Sequence, residues 1–118
     1  MGTFEVRIGV SNGDDSEPEW VDALVDTGAT FTVLPTSLLR DRLGVHPTRV
    51  MTFTLADGRE RPMQVGSALV RVNGVEAPSP VVFGEEGQYL LGATTLQSLG
   101  LIADTTNHEL TPAPRLYL

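Results

Sequence analysis

Ala23-Leu24-Val25-Asp26-Thr27-Gly28-Ala29-Thr30 decides how the chain is read. Three apolar residues read as the end of a buried strand, and they stop at an acidic side chain. Thr27 can hydrogen-bond locally and brace a turn there. Gly28 permits tight backbone geometry and leaves an amide exposed to donate to a carboxylate. These residues alone admit two readings. Asp26 is either an ordinary strand-end cap or a carboxylate held for chemistry.

Outward from this segment the dominant period is two. Phe4 to Val10 alternates apolar with polar or small residues and predicts a half-buried strand. Ser11 to Pro18 is polar and contains Asn12-Gly13, so it predicts a loop leading to a second strand, Trp20 to Val25. Phe31 to Leu34 predicts a short third strand. Pro35-Thr36-Ser37 opens a short helix, Leu38 to Leu43, with Ser37 as its cap and Gly44 as its stop. Arg49 to Ala56 alternates again and meets Asp57-Gly58, whose residues suit a tight two-residue hairpin turn. Pro62 lacks a ladder donor, so the return arm, Arg59 to Val65, is expected at an edge. Ala68 to Val72, Asn73-Gly74 and Val75 onward predict a second hairpin. Pro78 and Pro80 mark an edge or irregular stretch before a short strand, Val81 to Phe83. Leu90-Leu91-Gly92 then leads into a helix, Ala93 to Leu99, ended by Gly100. A last strand pair flanks the polar Asp104 to His108 turn, and the tail from Pro112 is broken by prolines. The fold class is all-β in the main, with two short helices, in a closed or sandwiched sheet.

Composition bounds the chemistry. The chain has 118 residues, 15 acidic and 8 basic side chains, and no cysteine. That length is expected to form one domain, residues 1–118. Without Cys there is no disulfide, thiolate nucleophile or Cys zinc site. A formal charge of −7 opposes a nucleic-acid-binding surface. All the basic residues are Arg, and the lack of Lys removes Schiff-base chemistry and a P-loop lysine. No window reads as a membrane span or a signal-peptide core, so a soluble cytoplasmic protein with no membrane partner is expected. No metal or cofactor is implied.

Asp26-Thr27-Gly28-Ala29 within ALVDTGATFTVLP, followed downstream by Leu90-Leu91-Gly92 before a helix ending in Leu99-Gly100-Leu101, resembles the retroviral-type (retropepsin-like) aspartic proteases, in particular bacterial single-domain members. The resemblance runs from about Val21 to Pro112. It implies a closed acid-protease barrel with one lobe per chain. It implies Asp26 as the catalytic residue and Thr27, Gly28 and Ala29 as support for the catalytic loop, with the Thr hydroxyl braced against a partner loop. It also implies that Leu90, Leu91 and Gly92 pack beneath that loop in a ψ-shaped arrangement. The hairpin tip Ala56, Asp57, Gly58 and Arg59 resembles the flap that closes over a peptide. Val33, Ala56, Val82 and Leu91 are the candidate pocket walls.

The chemistry is consistent with that resemblance. Hydrolysing an amide with water needs a base for the water and an acid for the leaving group. Two close carboxylates sharing a proton supply both, because like charges so near cannot both ionise. This chain offers one such Asp, since Asp104-Thr105-Thr106 lacks the Gly. A C2 homodimer acting on a peptide is therefore expected, with one Asp26 from each subunit. Family members that are viral often carry an acidic residue after Asp-Thr-Gly-Ala and an Arg after the downstream Gly. Thr30 and Ala93 stand there, both uncharged, and the flap tip is charged rather than Gly-rich. These departures motivate a rival reading: a dimerising or peptide-binding scaffold with weak or no catalysis.

Other residues carry less. Trp20 is expected as a core or interface anchor. His46 and His108 lack metal-ligand spacing and are expected in exposed turns, as are the acidic pairs Asp14-Asp15 and Glu85-Glu86.

Overall fold

The computed structural model describes residues 3–115. Among these, nine strands and two short helices follow the order β1 (Glu5–Ser11), β2 (Glu19–Val25), β3 (Thr32–Pro35), a π-helical turn (Ser37–Arg42), β4 (Arg49–Thr54), β5 (Glu60–Val72), β6 (Val75–Gly84), β7 (Leu90–Leu91), α1 (Ala93–Leu99), β8 (Leu101–Asp104) and β9 (Glu109–Pro112). Seven strands form one sheet, ordered β1-β2-β7-β3-β6-β5-β4. An extra pairing of β1 with β5, through Gly9↔Arg71 to Ser11↔Leu69, closes it into a ring that leaves only β4 outside. Closure removes open edges from the body of the sheet. The expected closed barrel is thus the observed one. β8 and β9 pair separately.

Alternation along each strand explains the core. Val21, Ala23 and Val25 point inward from β2, while Trp20 and Asp22 point out. Ile8, Val10, Leu34, Leu38, Leu39, Val70, Val81 and Leu91 are fully enclosed. Trp20 is not in this core. It is 46 % exposed, and its ring lies over Gly9, where a side chain would meet it at 3.1 Å.

Several local expectations change. The tip at Asp57-Gly58 is not a two-residue turn. Gly58 N–H donates to Leu55 O at 2.9 Å, Leu55 N–H donates to Arg59 O at 2.7 Å, and only Gly58 has positive φ, at 86°. This is a three-residue loop of Ala56, Asp57 and Gly58, in which Gly58 supplies the left-handed residue that matches the strand twist. Asn73-Gly74 is the two-residue turn, with φ of 51° and 80°. The residues around Pro78 and Pro80 are regular strand and continuous with Val81 to Phe83 in β6. Both prolines face β5 by register, but β3 joins β6 only from Val81 onward. Their missing donors therefore fall where β6 has one strand neighbour. Pro62 lies in the matching part of β5, paired with β4 before β6 joins at Val65.

The first helix is π-helical: Leu43 N–H donates to Leu38 O. Ser37 is its first residue rather than its cap. Thr36 occupies the cap position without a capping bond and donates instead to Gly84 O at 3.0 Å, and the Ser37 hydroxyl donates to Glu86. The second helix ends as expected at Gly100, in left-handed geometry. No helix among the described residues is long and apolar enough to cross a membrane.

Candidate active site

β2 delivers Asp26 to the surface because its inward residues end at Val25. β7 threads between β2 and β3. It runs parallel to β2, with Leu24↔Leu90 and Val25↔Leu91, and antiparallel to β3, with Val33↔Leu90. The loop between β2 and β3 therefore arches over β7, which is the ψ-shaped arrangement. Backbone bonds tie the two segments together. Asp26 N–H donates to Leu91 O at 3.0 Å, Ala93 N–H to Ala29 O at 2.8 Å, and Thr94 N–H to Thr30 O at 2.9 Å. At Gly92 the two segments pack backbone to backbone. A Cβ there would stand 2.5 Å from the Phe31 carbonyl carbon and 2.6 Å from its oxygen, so no side chain fits.

Within the loop, Gly28 N–H donates to Asp26 Oδ1 at 3.0 Å, and Ala29 N–H donates to Asp26 O at 3.1 Å. The first bond fixes the orientation of the carboxylate. Gly28 does not need left-handed geometry. A Cβ there would meet only Asp26 Oδ1, at 3.3 Å, so its missing side chain chiefly clears the space beside the carboxylate. Asp26 is half-buried, while Thr27 is exposed and its hydroxyl has no partner among the described residues. The local brace expected from Thr27 is absent among the described residues.

A cavity of about 500 Å³ opens beside the loop. Its floor includes Gly28, Ala29, Thr30 and Val33, its far wall Val82 and Leu90, and its roof Phe53, Leu55, Ala56 and Met63 from the β4–β5 hairpin. None of the lining side chains is ionisable. Asp26 is not part of the lining and adjoins the cavity through Gly28, from whose N–H its carboxylate accepts a bond. Phe31 and Phe53 meet edge to face, with ring centroids 5.8 Å apart, and join the floor to the roof. At the hairpin tip, Asp57 accepts from Arg59 at both the backbone and the guanidinium, so the charges neutralise each other locally.

Most expected site residues converge here. Val33, Ala56 and Val82 line the cavity. Leu91 does not. It is fully buried in the core, and Leu90 takes its place at the wall, because successive strand residues face opposite ways. Phe31, Phe53 and Met63 were not singled out from sequence, although Phe53 and Leu55 share one face in the alternation from Arg49 to Ala56. A hydroxyl cluster beneath the loop, Thr32, Thr95 and Ser79, also carried no sequence signal. Isolated Ser and Thr residues look alike whether exposed or buried.

Other carboxylates are explained locally. Asp104 accepts from Thr106 N–H, Asn107 N–H and the Asn107 amide, and the Asn107 bonds hold its carboxyl below the ordinary value. Asp14 is lowered in the same way by bonds from Ser16. Both are turn-formers. His46 and His108 are exposed, and His108 stacks on Phe4 at 5.8 Å. No group of three potential metal ligands exists among the described residues.

The family described as "gag-polyprotein putative aspartyl protease" matches residues 16–98. The solution structure of the simian foamy virus (mac) protease superposes with a TM-score of 0.58 at 20 % identity, over 79 % of this chain and 91 % of that one. That likeness shows a shared fold. No curated protein sequence matches significantly. The matched residues contain the Asp26 loop, the hairpin roof and the threaded strand β7, and on that match the chain belongs to the retroviral-type aspartyl protease family.

Proposed function

We propose that this protein is a homodimeric aspartic endopeptidase in which two Asp26 carboxylates, one per subunit, activate the water that attacks a peptide bond. The observation that carries this reading is the Asp26 loop. A single half-buried carboxylate accepts a bond from the N–H of Gly28, a residue that lines an uncharged cavity roofed by a hairpin. A lone carboxylate there lacks an acid partner. A C2 axis through the exposed Thr27-Gly28 surface beside Asp26 would supply one. One carboxylate would then be ionised and take a proton from the water. Its protonated partner would hydrogen-bond the scissile carbonyl, and the roles would exchange as the amine leaves. The peptide would lie extended beneath hairpin residues Ala56 to Arg59, with alternate side chains in the cavity and its copy.

Asp26→Asn keeps the size and the Gly28 bond acceptor but removes the titrating group. The expected result is an intact fold and loss of hydrolysis by about a thousandfold or more, measured by digesting a mixed peptide library between about pH 4 and 7. Unchanged cleavage by the purified variant would overturn the assignment.

The scaffold reading is favoured by one observation: Asp57 and Arg59 at the hairpin tip pair with each other, 2.6 Å apart, rather than presenting a mobile Gly-rich tip. It predicts a dimer that binds library peptides without cutting any, and the same digest distinguishes the two.

A further inference from the structure

The peptide unit between Leu91 and Gly92 is engaged at both ends. Its carbonyl accepts from Asp26 N–H at 3.0 Å, and its N–H donates to Thr32 Oγ1 at 3.0 Å. Thr32 Oγ1 is bonded to Thr95 Oγ1, and Thr95 Oγ1 to Ser79 Oγ at 2.7 Å. Ser79 Oγ donates to Pro80 O at 3.2 Å. Thr32 and Thr95 are completely buried and Ser79 is 2 % exposed, so the three lie out of reach of bulk solvent.

Proton counting sets the direction of this chain. Each hydroxyl has one proton to donate. Gly92 N–H donates into one end and Ser79 donates out at the other. Thr32 must therefore donate to Thr95, and Thr95 to Ser79. Every bond points the same way, from the Asp26 amide to the Pro80 carbonyl. Aligned hydrogen bonds polarise one another, the more so at low dielectric. Donation by Thr32 makes its oxygen a better acceptor for Gly92 N–H. Donation by that N–H makes the Leu91 carbonyl, across the same peptide unit, a better acceptor for Asp26 N–H.

We propose that Thr32, Thr95 and Ser79 are positioning residues that hold the Asp26 backbone, and hence its carboxylate, through the Leu91–Gly92 peptide. They touch neither the cavity nor the carboxylate, and act from β3, α1 and β6 beneath the loop. The role of Asp26 itself rests on the endopeptidase reading above. The positioning can be read without it.

The test compares Thr95→Val, Thr95→Ser and Leu99→Val in the full chain. Valine matches threonine in shape but breaks the series at its centre, whereas serine restores the hydroxyl. Leu99→Val weakens packing of the same helix without touching the series. Thr95→Val is expected to shift the amide proton signals of Asp26 and Gly92, to speed their exchange with solvent, and to lower kcat about tenfold with KM changed less than about twofold. Thr95→Ser is expected to restore amides and kcat together, and Leu99→Val to leave both near wild type. Unmoved Asp26 and Gly92 amides in Thr95→Val would overturn the proposal. So would equal movement in Leu99→Val, or failure of Thr95→Ser to restore the signals. If instead Asp26→Asn cleaves like wild type, the endopeptidase reading fails, while the amide signals still judge the positioning.

Discussion

Leu90 and Leu91 stand one position apart and meet different surroundings: the first lines the cavity and the second is enclosed in the core. Their sequence context is nearly the same, and either could have been the wall. The register of β7 between β2 and β3 decides, because side chains alternate across a strand. Substituting each by Ala separates the roles. Leu91→Ala removes a side chain with no solvent exposure and is expected to cost about 3 kcal/mol, read as a lower urea midpoint. Leu90→Ala is expected to cost about 1 kcal/mol or less and to shift which peptide side chains are accepted. Equal destabilisation by the two would contradict the placement. At Gly92 the motif glycine has a packing reason that sequence cannot show, namely the Phe31 carbonyl within 2.6 Å of where a Cβ would be.

The β4–β5 hairpin belongs to the element scale. β4 is the strand outside the closed ring, and beyond its pairing with β5 it is steadied by the Phe31–Phe53 contact. Alternation predicted both arms and Asp57-Gly58 located the tip. The loop type was not legible, because Asp-Gly serves a two-residue turn and also the last two positions of a three-residue loop. Aromatic pairs of this geometry contribute about 0.5–1.5 kcal/mol beyond buried area. Phe53→Ala is therefore expected to leave global unfolding within about 1.5 kcal/mol of wild type while raising KM severalfold, as the roof loses its hold on the floor. Denaturation and steady-state kinetics check this together. A variant that unfolds outright, or that binds substrate as tightly as wild type, would show that the contact does not position the hairpin.

At the scale of the molecule, one chain presents one Asp26 and, beside it, an exposed Thr27 hydroxyl with no partner among the described residues. In a C2 dimer each Thr27 bond would occur twice. Losing both in Thr27→Ala is expected to weaken association by about 2 kcal/mol, roughly thirtyfold in dissociation constant. The measurement is specific activity across a dilution series, paired with sedimentation. Activity should fall on dilution, and fall at higher concentration in Thr27→Ala. Constant activity from a sedimenting monomer would exclude a two-chain site. The amino-acid sequence by itself determined where most strands lie, though not that β5 and β6 run unbroken, together with the turns at Asn73-Gly74 and Gly100 and the one carboxylate in an Asp-Thr-Gly loop, because these follow from local periodicity and backbone freedom. Only the tertiary structure decided that β1 closes on β5, that Phe31 reaches Phe53, and that Thr32, Thr95 and Ser79 share one buried line of bonds. Those are contacts between residues far apart in the chain. They depend on register, and a one-residue slip turns the same side chain from the core to the cavity.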